Sequence, residues 1–237
     1  MEHQHPIQFV SLGPGDPELI TLKAYKALQE ADLIFCPGTP SSHGGILSRS
    51  KQILLELDLK EEQISVFSLP MSKNREAAFK AYEKVHDEAL QAYAKGLRVA
   101  IVAEGHAGFY ASIHSIYETL SKENVTVEQI AGIPAFIAAG ASCGLHIVQQ
   151  EQRLVVVPGV TTVDELNGYL SAGMVVVIMK LSQCAQEVWS LLKIRPTDDY
   201  HYFENVGTAN HFYTTNHEEL MNKKYPYFSL LIIQPQQ

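Results

Sequence analysis

Short apolar runs alternate with stretches of helical spacing through the first half of the chain, and this alternation limits the fold most tightly. "IQFVSL" reads as a buried strand that ends in Gly13-Pro14-Gly15-Asp16-Pro17, and helical spacing follows from Pro17 to Ala31. "DLIFCP" is a second strand, "GILSRSKQILLEL" is helical, and "QISVFSLP" is a third strand. Residues 75–95 form a long amphipathic helix, with Ala78, Tyr82, Val85, Ala89 and Tyr93 at three- and four-residue steps and Gly96 as its stop. "LRVAIVAEG", "YASIHSIYETL" and "VTVEQIAG" continue as strand, helix and strand. Such alternation implies crossover connections and a mostly parallel sheet. The expected fold class is therefore α/β.

After Gly132 the texture changes. A helix of small residues leads to the strand "RLVVVPG", the helix "TTVDELNGYLSAG" and the buried strand "MVVVIMKL". The helix "CAQEVWSLLKI", the strand and turn "DDYHYFENVG" and the last strand "YPYFSLLIIQ" complete the chain. Strands are more frequent here, helices shorter, and connections rich in Thr, Asn and Tyr. Two α/β domains are expected, residues 1–131 and 132–237.

Composition narrows the function classes. Hydrophobic residues make up 46% and charged residues 19% of the 237, which is a globular rather than a disordered balance. The net charge of −8 argues against nucleic acid and against anionic membrane as partners. Residues 130–148 are uncharged, but Pro134, Gly132, Gly140, Gly144, Ser142 and His146 interrupt them, so a buried loop and helix is expected rather than a membrane span. Cys36, Cys143 and Cys184 have no disulfide-like spacing. With no basic-then-apolar leader at "MEHQHPIQF", a cytoplasmic chain with free thiols is expected. Ten histidines are present, but no H-E-x-x-H and no set of ligands at metal spacing, so no metal site is expected.

Glycine loops at the ends of strands are the candidate site, because open α/β sheets bind ligands at their carboxyl ends. As a dinucleotide fingerprint the opening loop fails at its third glycine, where Glu18 stands; as a P-loop it lacks the closing Gly-Lys-Ser/Thr. Asp16 and Glu18 would repel a phosphate, and an acid there suits a helix cap. The other candidates are "VAEGHAGFYAS", "AGIPAFIAAGAS", "VIMKL" and "FENVGTANHF", and each is a weak signal by itself.

In order, "VSLGPGDPELITLKAYKALQEADLIFCPGT", "VAEGHAGFYAS", "AGIPAFIAAGASCGL", "VVVIMKL" and "ENVG" resemble the tetrapyrrole methylase family along essentially the whole chain. "PGT" followed by "ILSRS", "LPMSKNREAAFKAY" and "YFSLLII" are most similar to its branch that methylates C20 of precorrin-2 or cobalt-factor II in cobalamin synthesis. The resemblance implies S-adenosylmethionine as cofactor, held in a cleft between two α/β domains, with S-adenosylhomocysteine as product. It implies a tetrapyrrole substrate and a homodimer. Carried onto this chain, the cofactor residues would be Pro14, Glu104, Gly105, His106, Phe109, Pro134, Ala135, Met179, Val206 and Gly207. Gly13, Gly15, Asp16 and Lys180 would face the substrate.

Two departures stand out. The family usually has Gly-Asp-Pro where this chain has Gly105-His106-Ala107, so an acid and a stiffening ring are both replaced. The contacts there are expected to run through the backbone, which leaves cofactor binding intact. Related uroporphyrinogen methyltransferases place an acid, proposed as a base, where this chain has Pro37, so no general base is assigned. The substrate is a polycarboxylate, so local cations are expected to oppose the net charge. Arg49, Lys51, Lys73, Arg75, His114 and above all Lys180 are the candidates. Other acceptors in the same family, such as another corrinoid carbon or diphthine, and a non-catalytic relative, are the alternatives.

Overall fold

The computed structural model describes residues 5–41, 44–69 and 76–236. The chain divides into two units, Met1–Pro134 and Ala135–Gln237. The division falls after Pro134, a little beyond the Gly132 expected from composition, so Pro134 closes the first unit and Ala135 opens the second.

In the first unit, β1 (Ile7–Ser11), β2 (Leu33–Pro40), β3 (Ile46–Leu47), β4 (Ile64–Ser68), β5 (Val99–Ala103) and β6 (Val127–Ile130) form one sheet. Its order is β3-β2-β5-β1-β6, with β4 also on β2. All pairings are parallel except the short β2–β3 ribbon. Helices α1 (Leu22–Glu30), α2 (Arg49–Glu56), α3 (Glu76–Ala94) and α4 (His114–Leu120) supply the crossovers.

Two-residue alternation sorts the strand side chains between two faces. Phe9, Phe35 and Ile101 join Val85, Ala89 and Tyr93 of α3 and Ile116 of α4 in one core. Their neighbours Val10, Ile34 and Val102 join Ala24 and Leu28 of α1 and Ile53 and Leu54 of α2 in the other. The result is a parallel sheet covered on both sides, which is why its strands read as continuous apolar runs.

The helix expected over residues 45–57 starts later. Ile46–Leu47 pair with Thr39–Pro40, and Ser48 caps α2 by accepting the N–H of Lys51 at 3.0 Å. The third long helix begins at Glu76 in the described residues; the quoted segment before it lies mostly outside them.

The second unit holds β7 (Leu154–Val157), β8 (Val175–Met179), β9 (Asp199–Glu204), β10 (Phe212–Thr214) and β11 (Ser229–Gln234) in the order β10-β9-β11-β8-β7. Only β7–β8 is parallel among these pairings. Its helices are α5 (Ala135–Ser142), α6 (Val163–Ser171), α7 (Ala185–Ile194) and α8 (His217–Asn222). Leu166 and Leu170 of α6, Val188, Leu191 and Leu192 of α7 and Leu220 of α8 pack with Val176, Ile178, Tyr200, Tyr202, Leu231 and Ile233. Sequence patterning missed β10 and α8, three and six residues long.

Among the described residues no helix is long and apolar enough to cross a membrane, and the uncharged 130–148 segment contains only the eight-residue α5. No metal-binding group of His, Cys, Asp and Glu occurs among them either. The three cysteines are free, and burial pushes Cys36 up to about 11 and Cys184 up to about 12.

Candidate functional site

In the first unit the sheet gathers three of the expected loops. β5 and β6 flank β1 in parallel, with Ser11 opposite Ala103 and Val10 opposite Ile130. The segments after these strands, residues 13–17, 104–107 and 131–134, therefore leave the same edge.

Main-chain hydrogen bonds join the first two. The Gly13 N–H donates to the Gly105 carbonyl at 3.1 Å, and the Gly105 N–H donates back to Gly13 at 2.6 Å. Both glycines have positive φ, +78° and +71°, which side chains rarely adopt. Ser11, fully buried at the end of β1, ties in the third loop. Its hydroxyl donates to the Ile130 carbonyl at 2.6 Å and accepts the Ala107 N–H at 2.8 Å. Ser11 was not among the expected site residues; a lone hydroxyl inside an apolar strand was the signal.

Asp16 behaves as the charge argument requires. Its carboxylate accepts the Glu18 N–H at 2.9 Å and caps the one-turn helix Pro17–Leu19. The Glu104–Phe109 turn is likewise closed on itself. Gly108 N–H donates to His106 Nδ1 at 3.0 Å, and Phe109 N–H donates to the His106 carbonyl at 2.9 Å. The N–H groups of Gly105, Ala107, Gly108 and Phe109 are thus all spent on internal acceptors. A phosphate cradle needs several such groups facing outward.

What the turn keeps is room beside its backbone: a Cβ on Gly105 would meet nothing within 4 Å. Open backbone with no phosphate nest suits a ligand that lies against the main chain and carries no phosphate, and S-adenosylmethionine carries none.

The Glu104 side chain turns toward α2. Ser50 Oγ donates to Glu104 Oε1 at 3.1 Å, and Arg49 Nε lies 3.6 Å from Oε2. Burial raises the Glu104 pKa, while Arg49 and then Ser50 oppose the rise. Arg49 also donates from Nη2 to the Pro14 carbonyl at 2.9 Å. Phe109 lies against Tyr110, with ring centroids 4.7 Å apart.

In the second unit, β8 and β9 both run antiparallel to β11, so Met179 and the Val206–Gly207 turn lie at one end of its sheet. Lys180 follows Met179 in a left-handed conformation, φ 58°. Gly159, in the turn after β7, packs so closely that a Cβ would come within 2.7 Å of the Met179 and Lys180 carbonyl oxygens. The Val206 turn is held by Asn205 N–H donating to the Phe228 carbonyl at 2.9 Å. Just before it, Glu204 accepts from the Tyr202 hydroxyl at 2.5 Å and from Lys223 Nζ at 3.0 Å. Lys223 also sits 4.0 Å from the Phe212 ring centroid.

Several cations proposed for the substrate's carboxylates already have partners. Lys51 pairs with Glu61 at 2.5 Å, His114 with Glu118 at 3.3 Å, and Arg49 with Glu104. Lys73 and Arg75 lie outside the described residues.

Comparison with known proteins agrees with the family resemblance. The family model for tetrapyrrole (corrin/porphyrin) methylases matches residues 6–221. The chain is 31% identical over 231 residues to a precorrin-2 C(20)-methyltransferase of Sinorhizobium sp, covering 94% of this chain and 93% of that protein. It is 31% identical over 157 residues to a cobalt-precorrin-4 C(11)-methyltransferase of Methanocaldococcus jannaschii, covering 66% of this chain and 53% of that one. Its fold is similar to that of uroporphyrin-III C-methyltransferase from Thermus thermophilus, solved with S-adenosyl homocysteine. That match has a TM-score of 0.65 at 19% identity, over 97% of this chain and 92% of the other. With the matched model spanning most of its length, the chain belongs to the tetrapyrrole methylase family.

Proposed function

We propose that this protein transfers a methyl group from S-adenosylmethionine, the family's cofactor, to C20 of precorrin-2 or cobalt-factor II in cobalamin biosynthesis. The observation that carries the reading is the 31% identity to a C20 methyltransferase along nearly the full length of both chains. When bound, S-adenosylmethionine supplies an electrophilic methyl group on a positively charged sulfur.

Pro14, Glu104, Gly105, His106, Phe109 and Pro134 of the first unit would hold it, with Ala135, Met179, Val206 and Gly207 of the second. Gly13, Gly15, Asp16 and Lys180 would meet the tetrapyrrole. In the reaction a C20–CH3 bond forms as the S–CH3 bond breaks, leaving a neutral thioether, and C20 then loses its proton. The residues' task is alignment, and correct positioning alone is worth up to about 7–11 kcal/mol.

A reduced tetrapyrrole is nucleophilic at its meso carbons, so a strong protein base is not required. The position where relatives place an acid is Pro37, and its neighbour Cys36 is held as a thiol with its pKa pushed up to about 11. A homodimer is the assembly this reading carries with it, and sedimentation velocity tests it.

The deciding experiment uses cofactor labelled in its methyl group, offered with precorrin-2 and, separately, cobalt-factor II. Label is expected at C20 of one or both. Transfer to neither acceptor overturns the reading. The C(11) relative supports a second acceptor, so cobalt-precorrin-4 belongs in the same assay, and label at C11 there would select it.

A further inference from the structure

We propose that Arg49 is a positioning residue, which clasps the Pro14 loop to the Glu104 turn and so sets the surface that holds the cofactor. This rests on the proposed methyltransferase reading for its functional consequence, but the clasp itself is geometric.

The side chain is aimed by its place in α2. Ser48 caps the helix, accepting the Lys51 N–H at 3.0 Å and donating to the Pro37 carbonyl at 2.6 Å, which anchors the helix start to the end of β2. Arg49 is the first residue of that helix. From there its guanidinium spans two segments. Nη2 donates to the carbonyl of Pro14, and Nε stands 3.6 Å from the Glu104 carboxylate. Ser50, fully buried, holds the other carboxylate oxygen at 3.1 Å. Arg49 and Glu104 side chains are only 16% and 23% exposed, so bulk water screens this pair weakly.

The clasp has something to do. The two loops also meet through the paired hydrogen bonds of Gly13 and Gly105, residues with no side chains to pack. A glycine pair is pliable, and a guanidinium that hydrogen-bonds Pro14 and ion-pairs with Glu104 stiffens it.

The competing role for Arg49 is direct capture of a substrate carboxylate. Full recruitment of the guanidinium to a substrate carboxylate would compete with its contacts to Glu104 and Pro14. Displacing Glu104 would strand a carboxylate whose pKa burial already raises.

The test compares wild type with R49M, R49K, E104Q and the R49M/E104Q double variant. Three quantities are read: the Kd for S-adenosylhomocysteine, the amide exchange rates of Gly13 and Gly105, and the KM values for cofactor and tetrapyrrole separately. R49M is expected to weaken S-adenosylhomocysteine on the order of tenfold, with E104Q adding little in the double variant, as for two parts of one contact. The cofactor KM rises, the tetrapyrrole KM stays within about threefold, and both glycine amides exchange faster. R49K keeps the charge but not the fork, and is expected to fall between wild type and R49M; it also serves if R49M does not fold.

Unchanged cofactor affinity in R49M and R49K, strictly additive losses, or a rise confined to the tetrapyrrole KM would overturn the clasp. If the wild type itself binds no S-adenosylhomocysteine, the methyltransferase reading fails. The clasp then stands or falls on glycine exchange alone, with unchanged rates in R49M and R49K sinking it.

Discussion

At the scale of single residues, the Gly105-His106-Ala107 departure is repaired locally. His106 Nδ1 accepts the Gly108 N–H at 3.0 Å, a bond that an aspartate oxygen makes in comparable turns. Ala107 restores an N–H that proline lacks, and Ser11 accepts it at 2.8 Å. The turn therefore loses a stiffening ring and gains a hydrogen bond to the end of β1. Glu104 carries a pH signature. Burial raises its folded pKa above the unfolded value, about 4.3 for a free glutamate, so ionising Glu104 costs more in the folded state than in the unfolded one. Stability from this group is full below the unfolded pKa and is lost as pH rises through the folded one. An E104Q variant does not titrate at this position. Urea denaturation at pH 4, 5.5 and 7 is expected to show wild type losing ground to E104Q as pH rises. A gap that stays constant, or moves the other way, contradicts the burial argument.

At the scale of elements, close backbone approach at strand ends makes specific glycines irreplaceable. Gly159 combines φ +82° with a Cβ position 2.7 Å from two carbonyl oxygens, whereas Gly173, φ +74°, has open space around it. Gly173→Ala is expected to cost about 1–2 kcal/mol, from left-handed strain alone. Gly159→Ala adds overpacking and is expected to cost about 2–4 kcal/mol, read by chemical denaturation. Equal costs would mean that the Met179–Lys180 backbone yields freely. The same contrast explains what was legible beforehand. β1, β5, β8 and β11 are apolar runs buried in sheets, and α3 repeats its apolar positions over 19 residues, so local pattern sufficed. α8 is short, and its start was written only in Asn216, which accepts N–H groups of Glu218 and Glu219 at 2.9 and 3.2 Å. The glycine loops could be picked out because strand–loop–helix order is itself local. The Arg49–Glu104–Ser50 contact could not, since Ser50 and Glu104 are 54 positions apart and nothing in their spacing joins them.

At the scale of the molecule, the two units bury separate cores. The first closes two helix-covered faces of its sheet with residues no later than Ile130, and the second gathers its core from Val157 onward. Their sheets differ in one respect that matters. In the first, β1 is an inner strand whose two partners, β5 and β6, follow it in the chain. In the second, the central strand β11 is the last to occur, and it alone joins β9 to β8. A chain truncated after Phe228 is expected to keep cooperative unfolding in the first unit and lose it in the second, with amide exchange resolving the two. Protection of Val175–Met179 surviving the truncation would contradict this. The order of synthesis then acquires a direction. The first unit has all its strands once Ile130 has left the ribosome. The second waits as two half-sheets, with the facing edges of β8 and β9 bare, until Ser229–Gln234 emerges to fill the gap. For that interval a growing chain is most exposed to pairing with its neighbours, and chaperone dependence is expected to concentrate there.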